Sequence, residues 1–205
     1  MAFGAYKTLG EAALAHNVSV KVASFVQPIP FPVDERLRAD LRWNLENINI
    51  RMSEAATCEF LIAPILREVW KAYSDSLLIW SHIPFGPGEP LFGFPDYFFS
   101  RRSPLGLVQD QPPYVLVVEA KKDDFEAGWG QCLAAMLAAQ KLNGHPPRTI
   151  YGSVSTGRVW EFGKLHEQEF TQEFKQFVHT DLADLLAAWN YVFAQAKQEA
   201  LVPAA

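Results

Sequence analysis

The chain has 205 residues, 49% of them hydrophobic and 20% charged, a composition that suits one folded domain with a sizeable core and excludes a disordered or low-complexity chain. Its net charge of −5 argues against coating nucleic acid through bulk charge, while leaving room for a local basic face drawn from Arg101, Arg102, Lys121, Lys122, Lys141, Arg148 and Arg158. No apolar run is long enough to span a bilayer, the first residues lack a signal-peptide pattern, and Cys58 and Cys132 are too few for a disulfide framework; a cytoplasmic protein with two buried thiols is expected.

Residues 1–49 read as an accessory segment. Leu9 to Ala15 has a helical pattern, Val18 to Val26 reads as extended, and "QPIPFP" rules out regular pairing around residues 28–32. Asp34 to Asn49 reads as an amphipathic helix with Leu37, Leu41, Leu45 and Ile48 on one stripe. Residues 50–205 form the main domain. A helix capped by Ser53 runs through "EAATCEFLIAPILREVWKAY", where Pro64 must kink or end it. "SLLIWSHIPF" is extended, "GPGEP" turns, and "LFGFPDYFFS" returns as a second strand. A loop leads to a third strand, Tyr114 to Lys121, and then to a helix over Phe125 to Leu142 ended by Gly144. "RTIYGSV", the turn "STGR" and "VWEFGKL" form a hairpin before the terminal helix "DLADLLAAWNYVFAQAKQ". Helix, three strands, helix, two strands and helix predict an α/β sandwich with a mixed sheet. The six tryptophans, Trp43 among them, read as mostly core; His82 and His145 read as surface residues near turns. The spacing of Cys and His residues suggests no zinc site.

The stretch "VVEAKKDD" poses the functional question. A buried apolar strand ends in Glu119-Ala120-Lys121, and alternation puts Glu119 and Lys121 on one face. One reading is a surface ion pair where the chain leaves the core. The other is a metal-dependent site. Asp96, in the aromatic-rich preceding strand, could come beside Glu119, and two facing carboxylates repel unless a cation lies between them. Magnesium prefers such oxygen ligands and leaves positions for phosphate. Gln131 lies early in the following helix, and Glu54 and Glu59 lie on the helix before the sheet. Asp123 and Asp124 read as a solvated turn and a helix cap.

Taken together, Pro95-Asp96, then Glu119-Ala120-Lys121 ending a hydrophobic strand, then "GWGQCLAAMLAAQ", resemble the PD-(D/E)XK nuclease superfamily. "SEAATCEFLIAPIL" is similar to the leading helix, and "YGSVSTGRVWEF" to the closing hairpin, of the branch that includes the N-terminal nuclease domains of type I restriction subunits. The likeness spans roughly residues 50–195, and the whole chain resembles small stand-alone proteins of this kind associated with cyanobacteria. The resemblance implies a restriction-endonuclease-like three-layer α/β core with a mixed central sheet flanked by helices. It implies a metal site formed by Asp96, Glu119 and the carbonyl of Ala120, with magnesium as cofactor and manganese as a substitute. Lys121 would attend the nucleophilic water and Gln131 would match a glutamine found in some branches. A glutamate of the leading helix would complete the site; Glu59, in phase with Ile62 and Leu66, is favoured over Glu54, whose first-turn position suits a helix N-terminus without any catalytic role. DNA is the implied partner, cleaved at its phosphodiester bonds, in a homodimer or a larger restriction or repair assembly. The competing reading is a nucleic-acid-binding or protein-interaction module that keeps the fold without turnover.

Overall fold

The computed structural model describes residues 3–104, 106–107, 110–144 and 148–202; His145 lies outside them. The sheet is built around a strand that buries all seven of its residues, Tyr114–Ala120. Its order is β1 (Ser19–Val22), β9 (Glu169–Gln172), β8 (Val159–His166), β7 (Ile150–Ser155), β6 (Tyr114–Ala120), β5 (Tyr97–Arg101) and β2 (Leu77–Ser81), with the short β10 (Phe177–Val178) added to β8. β6 runs parallel to β7 and β1 parallel to β9, while the other pairings are antiparallel. The sheet is therefore mixed.

Helices cover both faces. On one side α2 (Glu35–Asn47), α4 (Ala63–Trp70) and α6 (Leu182–Leu201) pack over an aromatic core in which Trp189 meets Trp160, Phe162 and Phe193. On the other, α1 (Leu9–His16) and α5 (Phe125–Asn143) form a second core. The two-residue period of β6 sends Leu116, Val118 and Ala120 into the first core and Val117 into the second. Glu119, in phase with Val117, is directed to the α5 side.

Local chemistry sets the element ends. The side chains of Asp34, Asp124 and Asp181 each accept an N–H in the first turn of α2, α5 and α6, and Gly144 ends α5 in the left-handed region at φ 62°. Ser53 caps α3 (Glu54–Thr57), which passes through a π-helical turn, Cys58–Ile62, into α4. Pro64 thus does not end the helix. Having no N–H, it leaves the Phe60 carbonyl without its usual partner, and that oxygen instead accepts Nδ2 of Asn44 at 2.9 Å.

In three details the fold departs from what the sequence predicts. "LFGFPDYFFS" is not one strand: β4 (Leu91–Gly93) pairs back on β3 (Phe85–Gly88) as a separate hairpin, and the chain breaks at Phe94-Pro95 before β5 begins. Residues 167–178, too polar to stand out, supply β9 and β10. Trp43 is 59% exposed, because it lies off the Leu37–Leu41 stripe by which α2 packs.

The first 49 residues reach both layers. β1 extends the sheet, Phe25, Val26, Leu37 and Leu41 join the first core, and α1 lies against α5. Contact with α5 is close at Gly130, where a Cβ would stand 2.8 Å from the Thr8 carbonyl oxygen and 2.9 Å from that of Tyr6. The carboxylate of Glu173, only 5% exposed, holds this segment in place by accepting the N–H groups of Phe25 and Val26, each at 2.7 Å, and that of Lys175 at 3.1 Å.

Candidate functional site

The antiparallel register of β5 and β6 pairs Tyr97 with Val118, so Asp96, just before β5, stands opposite Glu119. Oδ2 of Asp96 accepts the N–H of Ala120 at 2.7 Å, one residue beyond Glu119 on the facing strand. Glu119 is 3% exposed and Lys121 9%. Nζ of Lys121 stands 3.9 Å from Oε2 of Glu119, in ion-pair range but too far for a hydrogen bond. Both partners are buried, so the ion pair is present but is not a surface one. With Glu54, Phe94, Asp124, Ala127 and Gln131, these three residues line an open cleft of about 420 Å³.

Of the residues singled out in the sequence, Asp96, Glu119, Lys121 and Gln131 are thus together, with Ala120 beside them through its amide. Glu59 is not. It is exposed, and Glu54 occupies the cleft wall in its place. The reason lies in the π-helical turn, whose Ala63 N–H reaches back five residues to the Cys58 carbonyl. Extrapolating an α-helical phase from Ile62 and Leu66 back to Glu59 crosses this wider turn, which rotates the preceding residues away from the predicted face.

Burial first, and then the neighbouring Asp96 carboxylate, push Glu119 well above the usual carboxylate range, against the pull of Lys121. Burial would raise Asp96 as well, but hydrogen bonds from His82 and the Ala120 N–H, together with the charge of Lys121, outweigh it and hold that carboxyl below its ordinary value. The pair therefore has one firmly ionised member and one that resists ionising. A cation between them would relieve that resistance, and no such counter-charge reaches Glu119 closer than Lys121 among the described residues.

Three contributors escaped the sequence reading. Gly128 of α5 faces Lys121: a Cβ there would lie 3.0 Å from Cγ of Lys121 and 2.5 Å from Cγ1 of Val154, so glycine lets α5 close over the lysine stem. Cys58 and His82 flank Asp96 on the side away from Ala120, with Sγ 3.6 Å and Nε2 3.2 Å from Oδ1. Neither signal was local; His82 is half-exposed, as a surface residue should be, yet its ring is turned onto Asp96.

The basic residues are divided among different places. Lys122, Arg158 and Arg51 line a small hollow of about 60 Å³ next to the cleft, with Arg51 paired to Asp123 at 2.7 Å. Arg148 is buried and spends its guanidinium on the carbonyls of Glu199 and Val202 at the end of α6, while Arg102 donates to the Ser74 carbonyl.

No protein-family model matches the chain, and a search of curated proteins finds no match. Among solved structures, a chain of a cryo-EM structure of a DrdV–DNA complex is similar over 78% of this chain, with 14% identity and a TM-score of 0.42. The similar region amounts to 14% of that much longer chain. No helix among the described residues is long and apolar enough to cross a membrane.

Proposed function

We propose that the protein is a divalent-metal-dependent phosphodiesterase acting on DNA, with magnesium as its metal and manganese as a substitute. The observation that carries this reading is the confrontation of Asp96 with a buried Glu119 whose ionisation is resisted, beside a buried lysine, in a cleft open to solvent. Hard oxygen donors with few protein ligands suit magnesium, which leaves coordination positions for water and phosphate. Asp96 and Glu119 would hold the ion, with Glu54 at the cleft wall as a further carboxylate. When bound, a divalent cation supplies Lewis acidity to a phosphoryl oxygen and lowers the pKa of a water.

The protein's own part is positional. The Ala120 N–H fixes one oxygen of Asp96, so the carboxylate is oriented before substrate arrives. Lys121, held under Gly128, offers a charge that does not have to reorganise as negative charge develops on the phosphate, and it can hold a water for attack. Gln131 can donate its amide to substrate or to that water. The order of motifs, from the leading helix through the aromatic closing hairpin, supports the same superfamily reading.

The test is cleavage of single-stranded, double-stranded and branched DNA with magnesium or manganese, comparing wild type with Asp96→Asn and Lys121→Ala. Metal-dependent cleavage by the wild type, lost in both variants, is the expected result. A wild type that binds the metal and cuts none of the three DNA forms would overturn the reading in favour of a binding module.

A further inference from the structure

Asp96 has a second side. Its Oδ1 lies 3.6 Å from Sγ of Cys58 and 3.2 Å from Nε2 of His82, and all three atoms fall within 4.8 Å of one another. We propose that Cys58, His82 and Asp96 form a binding site for a thiophilic divalent cation of the zinc type, separate in chemistry from the oxygen-lined cleft but sharing Asp96 with it. Tetrahedral zinc, with bonds of about 2.3 Å to sulfur, 2.0–2.1 Å to imidazole and 2.0–2.2 Å to carboxylate, sets neighbouring ligand atoms about 3.3–3.6 Å apart. The two separations from Oδ1 already match that spacing to within a few tenths of an ångström.

Three further features prepare the site. Nδ1 of His82 lies 2.6 Å from Oγ of Ser81. In the metal-free protein Nε2–H faces Asp96; with the ring proton at Nδ1 and donated to that hydroxyl, the outer hydrogen bond that ligating histidines ordinarily make, Nε2 becomes free to bind a metal. His82 itself adopts φ 55°, uncommon for a residue with a side chain, and its N–H is tied to the Asp96 carbonyl at 3.1 Å, which turns the ring onto the carboxylate. Cys58 opens the π-helical turn, the sort of helix irregularity often found at functional positions. Half-exposed His82 gives an ion a way in and leaves its fourth position to water.

Binding is a ligand exchange without redox change. The Cys58 S–H bond breaks, its proton passes to solvent, and a sulfur lone pair forms the bond to the metal; the Nε2–H bond of His82 also breaks, the neutral ring carrying its one proton at Nδ1 and a doubly protonated ring giving one proton to solvent, and the freed Nε2 pair binds the metal. Zinc binds cysteine as the thiolate, so zinc uptake should release a proton. A thiolate, an imidazole and a single carboxylate select against magnesium, which prefers an all-oxygen shell. Resting on the nuclease reading above, a consequence follows: zinc on Oδ1 draws Asp96 away from the magnesium it would share with Glu119, and so inhibits cleavage.

The test uses the full chain with cobalt(II) as a spectroscopic probe, then zinc. Wild type should give the thiolate-to-cobalt charge-transfer band and the intense visible bands of a tetrahedral ion, displaced by zinc and not by excess magnesium. Cys58→Ser should lose the charge-transfer band, Cys132→Ser should keep it, and His82→Ala, at a half-exposed position, should weaken zinc binding at least tenfold. Absence of the band in wild type, or its survival in Cys58→Ser, overturns the site. In cleavage assays, the ratio of rates with and without zinc should fall at least tenfold in wild type and far less in His82→Ala. Zinc-loaded wild type that cleaves at its zinc-free rate overturns the inhibitory coupling; zinc binding by a protein that cuts no DNA overturns the nuclease reading and leaves the zinc site standing.

Discussion

Glu119 and Glu173 are both nearly sealed from solvent, at 3% and 5% exposure, yet they are perturbed in opposite directions. Around Glu173, burial is outweighed by the N–H groups of Val26, Phe25 and Lys175, and the carboxyl sits below its ordinary value. Around Glu119, burial is reinforced by a second carboxylate and only partly opposed by Lys121. One acid is finished: backbone donors fixed by the fold satisfy its charge. The other is incomplete, because what the fold sets opposite it is more negative charge. The difference separates a carboxylate that holds structure together from one that awaits a cation, and it does so by counting donors rather than by burial.

The largest effect that would test this contrast is on turnover. Glu119→Gln should lower metal-dependent cleavage by about 10³, the upper end of what loss of one preorganised electrostatic group costs, while leaving the metal-free protein at least as stable as wild type at neutral pH. A thermal shift on adding magnesium should appear in wild type and vanish in the variant. If Glu119→Gln unfolds the protein, the carboxylate is structural and the contrast fails.

Glu173→Ala should behave in the opposite manner. It strands the buried N–H groups of Phe25 and Val26, at a cost of about 2–5 kcal/mol for two unpaired donors, with cleavage per folded molecule unchanged. Chemical denaturation would measure the loss, and hydrogen exchange should locate it at residues 23–26.

A smaller, graded effect lies in pH. Because the folded state holds the Glu173 proton less tightly than the unfolded chain, its stabilisation is fully present above the ordinary glutamate value of about 4.3 and is lost as pH falls through the lower folded value. Glu119 runs the other way. Its folded form holds the proton more tightly, so its contribution is present below the ordinary value and is lost as pH rises toward the higher folded value. Metal-free wild type should therefore lose stability at both ends of the titration, Glu173→Gln should flatten the acid limb, and Glu119→Gln the opposite one. The smallest effect belongs to a carboxylate in neither class. Asp123 pairs with Arg51 in the open, both largely exposed, and Arg51→Ala should change stability by about 0–1 kcal/mol, less at high salt.

Much of this was legible in the sequence because it is carried by local pattern. The hydrophobic run of β6, the alternation that puts Glu119 and Lys121 on one face, and the capped helices all depend on neighbours a few residues away. What was not legible depends on irregularity or distance. Glu54 displaces Glu59 because a π-helical turn shifts the phase that periodicity assumes constant. The break at Pro95 sets Asp96 just ahead of β5 rather than within a longer strand. Cys58 and His82 are 24 positions apart with no ligand-like spacing, and they meet on Asp96 through a left-handed backbone at a residue that is not glycine. β1 could be read as extended, but its partner, β9, lies about 150 residues further on and is too polar to announce itself.

That last pairing has a kinetic consequence. Ser19–Val22 cannot find Glu169–Gln172 until most of the chain has been made, so the edge of the sheet closes over a contact of very long sequence separation. Such closures come late and slow folding. During synthesis Val20 and Val22 would wait unpaired until Glu169–Gln172 is made, and this strand would be freed again if residues 169–173 were lost.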